Sequence, residues 1–289
     1  MHALSSPVEN PVRATTVVHC SDLHYGHGFI APRAEQLLER IVEVKPDAVV
    51  VSGDLTMRAR SGQFAQARDF FKRVEVPLLI IPGNHDVPLY NVLARAVNPF
   101  ANYHAYMDDL STNPLVLPHV GFLGLNTVNP MRHQQGIVRD ADMLRSKAWM
   151  KELPEEMWRI IVVHQHFANI PGHARPGVMP NAEHVLNEFS KAGAHAVLHG
   201  HAHYNRVTTT EEFFPAIRRP VALICVGTAT SERTRGEDRT NSYNVLQFTP
   251  EQFIVRQCNW DPVAQHFAEI RQFAFERTMF DPKTAKLPA

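Results

Sequence analysis

Cysteine is scarce in this chain of 289 residues: Cys20, Cys225 and Cys258, an odd number with no Cys-x-x-Cys spacing. That leaves no disulfide framework to read and points to a reducing, cytoplasmic setting with buried thiols. A surplus of charge is also missing. Lys+Arg and Asp+Glu balance at 29 each, so the chain as a whole has no pull toward bulk nucleic acid or an anionic membrane. No apolar run approaches the roughly 18 residues of a membrane span. Met1 to Thr15 lacks a signal-peptide core, and 1–14 reads as a flexible leader. No Ser/Gly linker, repeat or low-complexity tract divides the chain. One domain is expected, although its length exceeds the roughly 250 residues at which single cores usually stop growing.

Histidine is abundant, with 17 residues, and its placement is informative. The β-branched run Thr15–Cys20 reads as a strand and ends in Ser21-Asp22-Leu23-His24. Residues 32–44 carry Leu37, Leu38, Ile41 and Val42 at helical spacing. Ala48–Val51 is a continuous apolar run, as expected of a buried parallel strand, and stops at Ser52-Gly53-Asp54. A second helix is predicted over 63–73. Strand Leu78–Ile81 then runs into Pro82-Gly83-Asn84-His85-Asp86, where glycine permits a tight corner. One or two short helices broken by Pro99 are expected over 91–110, and Val120–Leu125 is a strand. A helix over 139–153 should turn Leu144, Ala148 and Trp149 inward. Arg159–Val163 ends in His164-Gln165-His166. After a helix over 181–192, strand Ala196–Leu198 ends in His199-Gly200-His201-Ala202-His203. Beyond this, 221–226, 243–248 and 253–258 read as antiparallel strands covering a second sheet, and 266–277 as a C-terminal helix.

Each polar strand end alone fits an ordinary loop; their coincidence is what matters. Five strand-like runs end with Asp22/His24, Asp54, Asn84/His85, His164 and His201/His203. Ligands of open α/β sheets bind at the carboxyl ends of strands. Asp22, His24, Asp54, Asn84, His164, His201 and His203 are too many for one tetrahedral ion. They suit two ions of higher coordination, with Asp54 bridging. Oxygen and imidazole donors without thiolate favour Mn²⁺, Fe, Zn²⁺ or Co²⁺. Two such ions about 3.5–4 Å apart activate a bridging water and neutralise phosphoryl charge. A single-iron oxidase, with two histidines and one carboxylate, would leave ligands over.

Asp22-Leu23-His24, Gly53-Asp54, Gly83-Asn84-His85-Asp86, His164 and Gly200-His201-Ala202-His203 resemble the five motifs of the calcineurin-like metallophosphoesterases, in the family's order. The resemblance spans about residues 16–260 and implies an α/β fold, a four-layer sandwich of two stacked mixed β-sheets flanked by helices. The metallophosphoesterase domain would cover 15–262, with a C-terminal helix and tail over 263–289. The resemblance further implies that Asp22, His24, Asp54 and His203 hold one metal, and that Asp54, Asn84, His164 and His201 hold the other. His85 would contact the phosphate and assist the leaving group. One departure is Gln165-His166, where many members carry His-Pro. Within the family the chain looks like the small bacterial phosphodiesterases that include the class III cyclic-nucleotide enzymes. Glycerophosphodiesterase, sugar-nucleotide pyrophosphatase and nuclease are the alternatives, the balanced charge weighing against the last, and a non-catalytic scaffold of the same fold is the reading from another class. The expected cofactors are two divalent or trivalent ions, Mn²⁺ and/or Fe, or Zn²⁺. The expected partner is a small phosphoester, contacted by Asn84, His85 and Arg175, with His166, His173, Arg233, Arg235 and Arg239 as further candidates.

Overall fold

The computed structural model describes residues 13–132, 134–169, 178–235 and 239–281. The first half alternates strand and helix: β1 (Thr15–Cys20), α1 (Ala31–Val44), β2 (Ala48–Val51), α2 (Ser61–Phe71) and β3 (Leu78–Ile80). Two short helices follow, α3 (Val92–Val97) and α4 (Ala101–Met107), then β4 (Leu115–Val116) and β5 (Val120–Gly124). A second alternating stretch contains α5 (Asp140–Glu152), β6 (Trp158–Val162), α6 (Ala182–Ala192) and β7 (Ala196–His199). The chain continues with β8 (Arg206–Thr209), β9 (Ala222–Cys225), β10 (Ser242–Phe248), β11 (Gln252–Asp261) and β12 (His266–Glu276).

These strands form two six-stranded mixed sheets, ordered β12-β11-β10-β1-β2-β3 and β4-β5-β6-β7-β9-β8. Strands buried on both faces need apolar residues at every position, and the alternation shows where each set goes. Val17, Val50 and Leu79 of the first sheet pack against Phe122, Ile160 and Leu198 of the second, forming the central layer. Their neighbours Val18, Val49 and Val51 face α1 and α2, while Ile161 and Val197 face α5 and α6. The result is the expected helix–sheet–sheet–helix stack. It brings the carboxyl ends of β1, β2 and β3 beside those of β6 and β7.

Three expectations change. Residues 266–276 form a strand rather than a helix, paired antiparallel with β11 from Gln252↔Glu276 to Asp261↔His266. Phe267, Ile270, Phe273 and Ala274 have helical spacing, but burying Phe267 and Phe275 against β11 decides the outcome. Charged residues along β12, such as Glu269 and Arg271, suit a sheet edge. Next, β9 runs parallel to β7, whereas β10 and β11 extend the first sheet through an antiparallel pairing of β10 with β1. Finally, α5 buries Met143, Ser146, Trp149 and Met150, leaving Leu144 and Ala148 exposed. Cys20, Cys225 and Cys258 are all buried free thiols. Among the described residues, no helix is long and apolar enough to cross a membrane.

Candidate metal centre

The first sheet delivers Asp22 and His24 just after β1, Asp54 after β2 and Asn84 after β3; the second delivers His164 after β6 and His201 and His203 after β7. The two sheets therefore share the work. Asp22, His24, Asp54 and His203 form one group and Asp54, His164 and His201 another, with candidate ligand atoms in each lying within 4.8 Å of one another. Asp54 belongs to both. Asn84 joins the second group through its Oδ1, 3.1 Å from His164 Nε2.

The backbone is bent to achieve this. Asp22, His24, Asp54, His201 and His203 all have left-handed φ, between 53° and 65°. Such a conformation costs a side-chain-bearing residue roughly 1–2 kcal/mol, and residues held there gather at functional sites. Surrounding hydrogen bonds hold the strained turns in place. The Asp22 amide donates to Gly53 O at 2.9 Å and the His24 amide to Asp54 O at 3.0 Å. Thr228 and Thr230 hydroxyls donate to the carbonyls of Asp22 and Leu23 at 2.6 and 2.7 Å. The His201 amide donates to Asp22 Oδ2 at 2.9 Å, tying the end of β7 to the end of β1. No side chain fits at two glycines here: a Cβ on Gly83 would overlap Asp54, and one on Gly200 would overlap Ser21 and Asp22.

Asp86 organises the same corner without facing the cluster. Its buried carboxylate accepts from the amides of Gly83, Leu55 and Thr56, at 2.9, 3.0 and 2.8 Å, and from the Thr56 hydroxyl at 2.9 Å. Burial, together with nearby Asp54, pushes its pKa up to about 7.

Tautomers show what the cluster can accept. His164 Nδ1 donates to Ser52 O at 2.7 Å, which leaves its Nε2 with a lone pair. That lone pair faces Asn84 Oδ1 and, at 3.3 Å, Asp54 Oδ1, both acceptors. His203 Nδ1 donates to Arg233 O, so its Nε2 likewise offers a lone pair, 3.0 Å from Asp22 Oδ1. Among the described residues, Asp22 Oδ1 is buried without a hydrogen-bond donor. Electron pairs aimed at electron pairs in a dry interior are stable only around a positive charge.

The titration behaviour agrees. Burial alone would raise Asp22 and Asp54, yet His203 and His164 draw both carboxyls well below the usual range. Burial opposes charge on His164, but the Asp54 and Asp22 carboxylates push it up to about 9, so that without an ion a proton occupies the Nε2 lone pair at neutral pH. A cation between these atoms answers the same demand. Burial lowers His24 to about 4 and holds His201 well below its ordinary value, so both imidazoles are neutral and ligand-ready at pH 7.

A family model of calcineurin-like phosphoesterases matches residues 15–205. The chain belongs to the calcineurin-like phosphoesterase family. Metallophosphoesterases of this kind use a dinuclear metal centre, and the Asp/His cluster has the donor set for one. Residues of this chain are 40% identical over 65 positions to glycerophosphodiester phosphodiesterase GpdQ of Enterobacter lignolyticus (strain SCF1), a match covering 22% of each chain. The fold is shared with purple acid phosphatase PPD1 from yellow lupin: TM-score 0.68, 13% identity, 96% of this chain and 56% of that one. A dimetal phosphatase from Danio rerio superposes with a TM-score of 0.60 at 13% identity, over 92% of this chain and 99% of that one. GAP50, the anchor in the inner membrane complex of Plasmodium, has a TM-score of 0.61 at 13% identity over 94% and 93%. Phosphatases and an anchor thus share this phosphoesterase fold, and function must be argued from the site.

His85 stands at the edge of the cluster. Its amide donates to Asp54 Oδ1 at 2.7 Å, and its ring meets that of His24 edge-on at 4.8 Å. Its Nδ1 lies 2.9 Å from Met57 O, which fixes Nδ1 as the donor, and its Nε2 lies 3.2 Å from Arg233 Nη1. Burial lowers its pKa, with Asp54 acting the other way, so an imidazole with its ordinary pKa is not what the fold supplies.

His166 is buried and stacks on the His201 ring at 5.3 Å, supporting a candidate ligand instead of reaching a substrate. Gln165 is buried beside it and accepts from the Thr127 hydroxyl at 2.5 Å, so the departure from His-Pro is absorbed by packing. His173 and Arg175 lie outside the described residues. Of the later arginines, Arg233 alone lines the cavity next to His85, which measures about 610 Å³; Arg239 lines a separate groove near Trp260. Arg58, Arg60, Gln63, Tyr90 and Gln134 also line the His85 cavity. Sequence reasoning passed over them, although Arg58-Ala59-Arg60 soon after the Asp54 turn was a usable signal.

Proposed function

We propose that this chain is a binuclear metal-dependent phosphodiesterase that hydrolyses a small phosphodiester such as a cyclic nucleotide. The observation that carries the reading is the pair of facing acceptor sets around Asp54, one on each side of a shared carboxylate. Asp22, His24, Asp54 and His203 would hold one ion, and Asp54, Asn84, His164 and His201 the other. When bound, the ions supply Lewis acidity to the phosphoryl oxygens and a water acidic enough to attack at neutral pH.

The remaining work falls to side chains. Asn84 and His85 meet the phosphate. His85 Nε2 borders the cavity, where a leaving oxygen would lie; it carries no proton while Arg233 donates to it, so a proton taken up from solvent once the arginine turns to the substrate would be the one passed to a departing alkoxide. Arg233 fixes the ring by donating to the same atom before substrate arrives. Mn²⁺, Fe and Zn²⁺ all suit the oxygen and imidazole donors. The likeness to GpdQ favours a second reading, a glycerophosphodiester as substrate.

A substrate panel tests these readings. With Mn²⁺ present, cyclic AMP, glycerophosphodiesters, a UDP-sugar and aryl mono- and diesters are compared by kcat/KM. Turnover of diesters above monoesters supports the proposal, and the preferred diester chooses between the two readings. Hydrolysis confined to monoesters contradicts it. A protein that binds no ion and turns over nothing would instead be a scaffold.

A further inference from the structure

Among the described residues, the cavity beside His85 is lined by cations without a carboxylate to balance them. Several arginines elsewhere pair with carboxylates, as Arg68 does with Asp109 and Arg73 with Glu35. Arg58, Arg60 and Arg233 line one cavity of about 610 Å³ whose described lining contains no Asp or Glu. Arg58 Nη1 lies 3.4 Å from His85 Nδ1, and Arg233 Nη1 lies 3.2 Å from His85 Nε2, so two guanidinium groups flank the ring that borders the metal-ligand cluster. Gln63 Oε1 accepts from the amides of Arg58 and Arg60 at 2.9 and 3.4 Å, which fixes the turn carrying both arginines.

One diester charge does not account for this. Two divalent ions set against the carboxylates of Asp22 and Asp54 and an attacking hydroxide already balance the single charge of a reacting phosphodiester. Three further cations are surplus to it. Guanidinium groups are planar forks matched to phosphate and carboxylate oxygens. A diester with its phosphorus against the cluster and its leaving oxygen at His85 projects its leaving group into this cavity.

We infer that the cavity formed by Arg58, Arg60 and Arg233 binds a second anionic group, a phosphate or carboxylate, on the leaving-group side of the substrate. This rests on the phosphodiesterase reading and narrows its substrate class. A diester with a neutral leaving group fills the reaction site but leaves the arginines facing water.

The test uses three glycerophosphodiesters that differ only in the leaving group: glycerol, glycerate and glycerol phosphate. Wild-type enzyme with Mn²⁺ should favour one charged leaving group over glycerol by about tenfold or more in kcat/KM, the value of one charge-assisted hydrogen bond. Comparing glycerate with glycerol phosphate tells carboxylate from phosphate. The ratio should fall toward one in the Arg58→Gln, Arg60→Gln double variant, whose circular dichroism reports its folding. Equal rates for all three diesters in wild type, or a preference that survives the double variant, would overturn the inference.

If no diester is hydrolysed, the phosphodiesterase reading fails and calorimetry decides the subsite separately. Binding of sn-glycerol 3-phosphate to the protein as purified, weakened at least about tenfold in the double variant, upholds it. No binding, or equal binding by both proteins, overturns it.

Discussion

The metal-ligand cluster and the arginine cavity share His85 but are built in opposite ways. Every residue of the cluster sits at the end of a buried strand, and Asp22, His24, Asp54 and His164 are fully or almost fully enclosed. The cavity wall comes from loops and a helix start: Arg60, Tyr90 and Gln134 are exposed, and Arg58 and Arg233 half-buried. The cluster carries ionised carboxylates in a dry interior, and the cavity carries guanidinium groups with no carboxylate among its described lining residues. A rigid, strained, acidic edge suits a reaction whose geometry must not vary. A solvent-facing cationic wall suits a choice among substrates, since loop side chains can be exchanged without disturbing the fold.

That contrast predicts effects of very different size. Asp54→Ala, at the shared carboxylate, should lower kcat for any diester by about 10³-fold or more, because several kcal/mol of charge stabilisation depends on it. Gly200→Ala should behave similarly through Asp22, whose carboxylate the new methyl would overlap. Steady-state rates check both, and near-wild-type kcat in either would show that the tight geometry is dispensable.

His85→Ala lies on the boundary. It should retain bound metal and lose about 10²–10⁴-fold in rate, the usual worth of positioned proton transfer. The loss should be larger for an alkyl leaving group than for p-nitrophenolate, which departs unaided. Equal losses would make His85 a phosphate-orienting residue alone. On the cavity side, Arg58→Gln should raise KM for a charged diester by about tenfold, with metal content unchanged. A fall in metal content would mean that the cavity and the cluster are not separable.

The smallest effect concerns pH. His19 and His195 are buried neutral in the core; burial, with His199 nearby, lowers His19 to about 3, and burial, then Arg219, Arg277 and Arg159, holds His195 well below its ordinary value. Their unfolded forms take up protons below about pH 6.5 while the folded forms do not. Stability is therefore complete above that pH and falls as pH drops, by up to roughly 1.4 kcal/mol per pH unit per histidine. Urea unfolding at pH 7 and 5 checks this, and the His195→Gln variant should show a shallower slope.

The cluster was legible because apolar strands that stop abruptly at Asp, Asn or His are visible as residue types alone. Its architecture was legible only through family resemblance, since nothing in Asp54 or His201 announces a left-handed backbone or a meeting of two sheets. The cavity was nearly illegible: nothing in the sequence announces that Arg58, Arg60 and Arg233 line one cavity with His85. Two-residue β4 and half-exposed β8 are too short and mixed to stand out, and β12 carries apolar residues at both helical and alternate spacings until β11 supplies a partner. Leu144 misled because α5 turns Met143 and Met150 inward instead.

The central claim is that Asp54 is shared between two ions. Elemental analysis of metal per chain in wild type, Asp22→Ala, Asn84→Ala and Asp54→Ala tests it most directly. Wild type should hold two ions, each of the first two variants should lose mainly one, and Asp54→Ala should lose or disorder both. Two ions at full occupancy in Asp54→Ala would contradict the account.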